Sequence, residues 1–269
     1  MVLEQVLEAR FAYKKGYAFL LGLVYTIIGV ISARLVFASS TGIMSVAFTS
    51  ILLIPSLAEL LRIEAGEALQ ESQFSIKRLY KDHSDIFYMY IAMFLGIFVA
   101  YSIVTLLIPE ATLGSLFSHQ LKAAGLRGYA TANAQLMTII FNNLLIFAVA
   151  FVLSVIYGAG EVLFLVWNAS VWGVVFSLFV RKAATFAGED PVVAFAREVV
   201  PFIPHMVTEG IAYIGAAIIG GIVSKAMMQE ELFSQRFNVI VKDALFFLIV
   251  GIVVVVIAGI IEVLWFARL

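Results

Sequence analysis

Two ionisable residues stand four apart at the head of an apolar, glycine-rich stretch. "FIPHMVTEGIAYIGAAIIGG", residues 202–221, carries His205 and Glu209. A helix repeats every 3.6 residues, so i and i+4 share one face. That face continues through Ala212, Ala216 and Gly220, small residues that let helices approach closely. The pair therefore points at a neighbouring helix. An imidazole and a carboxylate so placed can hold a divalent ion, exchange a proton or bridge two helices. Other polar residues punctuate apolar runs further along: Asn142 and Asn143 in "FNNLLIF", Asn168 in "LVWNASV" and Glu262 in "GIIEVLWF". Nitrogen and carboxylate donors suit zinc, with an asparagine oxygen as a further donor.

What holds these residues is a membrane bundle. The chain has 269 residues, of which 63% are hydrophobic and 13% charged, and its mean hydropathy is +1.06. A soluble domain is nearer half apolar and a quarter charged. The apolar runs are long and continuous, which predicts spanning helices rather than the alternating strands of a barrel. The expected fold is an all-α integral membrane protein, one bundle of seven spans with short amphipathic helices in its loops. The spans are expected at 17–38, 42–61, 86–108, 136–157, 162–180, 204–225 and 244–266. Residues 1–135 read as a three-span region with a charged connector and an outer loop, and 136–269 as a four-span core. Charged residues 62–85 suggest a helical connector, and the amphipathic piece in 109–135 and the segment before the sixth span suggest interfacial helices.

The net charge of −1 offers nothing to a nucleic acid, and the absence of cysteine excludes disulfides and thiolate metal sites. The N-terminus lacks the cleavage site of a signal peptide, so the first apolar run is expected to be a retained span. Placing the N-terminus in the cytoplasm puts ten Lys and Arg inside and seven outside. Lys14–Lys15 favours that orientation and Arg181–Lys182 opposes it. The C-terminus is then outside. Helix direction alone puts His205, Glu209, Glu262, Asn168 and the Asn142–Asn143 pair toward one membrane half, and burial of charge is costly enough there to favour one interior cluster. Each residue also has a plain reading: a helix cap for Asn142 or Asn143, interhelical glue for Asn168, headgroup contact for Glu262 near Arg268, a first-turn position for His205. Glu161 reads as a helix-start carboxylate, and Glu59, His83 and His119 as surface residues.

These residues carry a family resemblance. "FNNLLIFAVAFVLSVIYGAGEVLFLVWNASVWGVVFSLF", "PHMVTE" with "AAIIGG", and "IIEVLWF" resemble the stage II sporulation protein M family, over roughly Phe141 to the C-terminus. The resemblance maps the family's pattern onto Asn142, Asn143, Gly158, Gly160, Asn168, Pro204, His205, Glu209 and Glu262, with Met206 in place of the usual glycine. It also implies that the first 85 residues are an added front piece of the archaeal type. The implied role is anchoring partner proteins of a membrane-remodelling or wall-linked complex.

Three functions compete: a membrane scaffold with a structural polar cluster and a metal there, an intramembrane metal-dependent enzyme, and a transporter or channel. The chain has neither His-Glu-x-x-His nor Gly-x-Ser-x-Gly, and no paired inverted halves, so the scaffold is preferred. The expected partners are the lipid bilayer, a second copy of the chain packed through Ala216–Gly220 and Ala217–Gly221, and envelope proteins. No catalytic residue is assigned.

Overall fold

A computed structural model describes residues 15–68, 84–125, 132–157, 162–188 and 190–266. Arg10, Lys14, Lys77, Arg78, Lys81, His83, Arg127, Gly158, Gly160, Glu161 and Arg268 lie outside them. The regular elements among the described residues are all helical. We number the α-helices α1 (Lys15–Val36), α2 (Thr41–Ala68), α3 (Ser84–Leu107), α4 (Glu110–Leu116), α5 (Ser118–Gly125), α6 (Ala132–Tyr157), α7 (Val162–Ala187), α8 (Pro191–Val199), α9 (Ile203–Gln229) and α10 (Gln235–Phe266). Seven of them, α1, α2, α3, α6, α7, α9 and α10, are long and apolar enough to cross a membrane. The chain is thus a multi-pass, all-α membrane bundle.

Several helices overrun their expected spans. α2 continues past residue 61 to Ala68, α7 past 180 to Ala187, and α10 starts at Gln235 rather than 244. Apolar runs mark where lipid is, whereas a helix continues as long as its residues favour it. Glu, Ala, Gln, Arg and Lys are good helix formers at these ends.

α1 packs on α2 and α3, and α7 packs on α2 and α3. Glycines allow this closeness. At Gly173 a Cβ would lie 2.8 Å from Phe98 O and 2.8 Å from Tyr101 Cβ. This group holds the larger core, with Tyr90, Tyr101, Phe117 and Phe176 fully enclosed. Hydroxyls and one amide knit it: Ser45 Oγ shares a hydrogen with Tyr101 OH (2.9 Å), and Gln120 Nε2 of α5 donates to Gly42 O (2.9 Å). α6, α9 and α10 make the second group, around Phe147, Ala212, Ala216 and Val255. α9 also meets α2 and α3, joining the two groups. The two expected regions therefore interleave, because α7 packs among the helices of the first.

α6 and α9 run in parallel with a fixed register. A Cβ on Gly220 would lie 2.5 Å from Ser154 Cβ, 2.8 Å from Phe151 O and 3.2 Å from Val155 N. Only glycine lets the backbones meet there. The residues in contact, 220 and 154, differ by 66, as do Glu209 and Asn143, which are hydrogen-bonded. The small-residue contact thus sets the register that brings Asn143 to Glu209 three turns away, about 16 Å along the axis. Ala216, Ala217, Gly220 and Gly221 are buried inside the single chain. The faces expected to serve a second copy are filled by the chain itself.

α8 begins on an Asp190 cap, whose carboxylate accepts from Val192 N (2.8 Å) and Val193 N (3.2 Å), with Pro191 in the first turn. An amphipathic segment was expected at the interface. The helix is amphipathic and lies along α7, burying Ala194 and Val199 and leaving Val192 and Val193 exposed, while Phe195 meets Phe98 with ring centroids 6.3 Å apart. A 3-10 turn, Val200–Phe202, then leads into α9.

A candidate buried metal centre

His205 lies in the first turn of α9, one turn before Glu209. Glu262 arrives from α10, which packs along α9. All three are buried, at 2%, 5% and 1% exposure. His205 Nε2 is 3.4 Å from Glu209 Oε2 and 3.3 Å from Glu262 Oε2, and the three donor atoms lie within 4.8 Å of one another.

The other ring nitrogen decides the chemistry. His205 Nδ1 is 3.3 Å from Ala258 O, one turn before Glu262 on α10. A carbonyl oxygen can only accept, so Nδ1 carries the hydrogen and donates. Nε2 then turns toward two carboxylate oxygens. As a neutral nitrogen it would point a lone pair at two anions; as an imidazolium it would balance only one of them. The three atoms are so placed that they could hold a cation among them.

Asn143 of α6 fixes the second oxygen of Glu209, its Nδ2 donating to Oε1. That bond leaves Oε2 turned to the imidazole. Asn142 donates in turn to Asn143 Oδ1 (3.4 Å). Trp172 of α7 closes another side, its ring meeting the imidazole with centroids 5.8 Å apart and stacking on Phe176 at 5.2 Å. Aromatic surface there raises the cost of an unbalanced charge by keeping water out.

Of the residues expected to cluster, the structure brings together His205, Glu209, Glu262 and Asn143, with Asn142 one hydrogen bond behind. The Asn168 amide donates instead to Phe164 O of its own helix (2.9 Å). Sequence reasoning did not anticipate Trp172 or the Ala258 carbonyl. An aromatic residue in an apolar span carries no distinguishing signal, and a backbone acceptor carries none at all. Among the surface readings, His119 is exposed and Glu59 is half-buried.

No family model, no curated protein and no solved structure matches this chain.

Proposed function

We propose that the protein is a membrane scaffold whose helices α6, α9 and α10 are fastened by a divalent metal, zinc by its donor set, held by His205, Glu209 and Glu262. One observation carries the reading: the imidazole gives its Nδ1 hydrogen to a carbonyl and presents Nε2 to two buried carboxylates. Metal-binding histidines characteristically donate their other N–H to such an acceptor. The two imidazole–carboxylate separations agree. Zinc lies about 2.0–2.2 Å from nitrogen and oxygen ligands, which places tetrahedral neighbours roughly 3.3–3.5 Å apart. A direct charge-assisted N–H···O bond is shorter, about 2.7–2.9 Å. A divalent ion also balances two carboxylates, which an imidazolium cannot.

Complete burial of the ligands favours a structural metal over a catalytic one. On this reading the bundle is an anchor, orienting partner proteins of a membrane-remodelling or envelope-associated complex. The resemblance to the stage II sporulation protein M family supports that role. A cell-membrane location with the N-terminus cytoplasmic and the C-terminus outside, favoured by Lys14–Lys15, and assembly as a homodimer are proposed with it. A second reading, an intramembrane metal-dependent enzyme, is favoured by the ligand count. Three protein ligands leave a fourth position for water, as in catalytic zinc sites.

Elemental analysis of the chain purified in mild detergent without chelator tests the metal. The scaffold reading predicts about one transition-metal ion per chain, lost in His205→Ala. A metal-free wild-type protein that unfolds identically with and without added zinc would overturn it.

A further inference from the structure

A second polar position lies apart from the buried centre, where α3 ends beside α7. Arg181 sits near the end of the apolar part of α7, which runs to Thr185, and reaches the last turn of α3. Its Nη2 donates to Thr105 O (2.8 Å) and Leu106 O (2.6 Å). These carbonyls close the C-terminal end of α3, where helices leave acceptors unmatched and favour a cation. The two bonds fix the guanidinium but use one nitrogen. Nε and Nη1 keep three of the five N–H donors, and they have no acceptor among the described residues.

Arg181 lines an open cleft of about 560 Å³, with Leu106, Leu107, Ile108 and Val180 as apolar lining and the exposed Glu110, three residues past the end of α3, in the same lining. Leu107 is 79% exposed and Leu106 45%. The apolar windows of α3 and α7 end at Leu107 and Thr185, so the cleft lies where hydrocarbon gives way to headgroups. A fixed cation with unspent donors, an apolar slope below it and a carboxylate in the same cleft together describe an amphiphile. Its charge order is anion inward and cation outward.

We propose that this cleft binds the phosphoethanolamine headgroup of a membrane phospholipid. Arg181 takes the phosphodiester, Glu110 takes the ammonium, and an acyl chain lies over Leu106 and Leu107. Guanidinium suits phosphate because its donors form a planar fork. Glu110 supplies selectivity: an anionic headgroup such as phosphatidylglycerol satisfies Arg181 but meets a carboxylate without a counter-charge.

Native mass spectrometry of the whole chain released from detergent micelles tests this, with phosphatidylethanolamine, phosphatidylglycerol or inorganic phosphate added. Wild type is expected to hold phosphatidylethanolamine about tenfold better than phosphatidylglycerol and to hold no inorganic phosphate. Losing a charge-assisted contact costs a factor of about ten or more. Arg181→Gln is accordingly expected to weaken both lipids by at least that factor. Glu110 is exposed, so Glu110→Gln should fold normally and abolish the preference between the two lipids; it decides the matter even if Arg181→Gln loosens α3. Equal retention of both lipids by wild type, an unchanged preference in Glu110→Gln, or binding of inorganic phosphate alone would overturn the proposal.

Discussion

Replacing the two buried glutamates singly and together gives a coupling whose sign depends on metal. Glu209 and Glu262 present donor oxygens within 4.8 Å of one another. At an effective dielectric constant of ~20, two unit charges at that separation repel by about 3.5 kcal/mol. In chelator-treated protein, Glu209→Gln or Glu262→Gln relieves this repulsion while losing one attraction to His205, so each single change is nearly neutral. The double change has no repulsion left to relieve and loses both attractions. It should be about 2–3.5 kcal/mol worse than the sum of the singles. With metal in roughly 1,000-fold excess over its dissociation constant, binding stabilises the native state by about 4.1 kcal/mol, more than the repulsion. Either single change then forfeits most of that, and the second cannot forfeit it again. The double change is therefore milder than the sum, and the coupling reverses sign. Thermal unfolding of the four proteins in mild detergent measures it, one kcal/mol corresponding to about 2–4 °C for a chain near this size. Additivity within about 0.5 kcal/mol under both conditions, or one sign throughout, would refute a shared cation site.

Two further outcomes are expected. Gly220→Ala should cost about 1–3 kcal/mol, since its methyl meets Phe151 O and Ser154 Cβ; it should also lower metal content by disturbing the register that holds Asn143 on Glu209, and Ser154→Gly in the same chain should restore part of both. Undiminished metal and unchanged unfolding in Gly220→Ala would show that the register is set elsewhere. Single cysteines at 15 and 268, introduced into a chain that has none, should label from the cytoplasmic and outer sides respectively; labelling of both from one side would refute the odd number of crossings.

His205 and Glu209 were legible together because helical periodicity alone places i and i+4 on one face. Glu262 and Asn143 were legible as neighbours in depth, since alternating helices reverse direction and carry their ends to the same side. Asn168 shows the limit of that argument. Depth does not fix a side chain's partner: Asn168 lies one turn before Trp172 on α7, yet its amide donates to Phe164 O of its own helix. The small-residue face of α9 was readable as a site of close approach, but not its partner: within the described structure that partner is α6. α8 was readable as an amphipathic helix from its pattern. Its return along α7 depends on long-range contacts such as Phe195 with Phe98, which no local pattern contains. Arg181 read as a charge in a loop that counted against the chosen orientation, whereas the structure puts it on the end of α3.

The central claim is that one divalent ion is held by one imidazole and two carboxylates from α9 and α10. X-ray absorption at the zinc edge of the zinc-loaded chain tests it most directly. The account predicts a first shell of nitrogen and oxygen at about 2.0–2.2 Å, with the outer-shell scattering of a single imidazole that disappears in His205→Ala. A shell of oxygen alone without imidazole scattering, or a spectrum unchanged by His205→Ala, would contradict it.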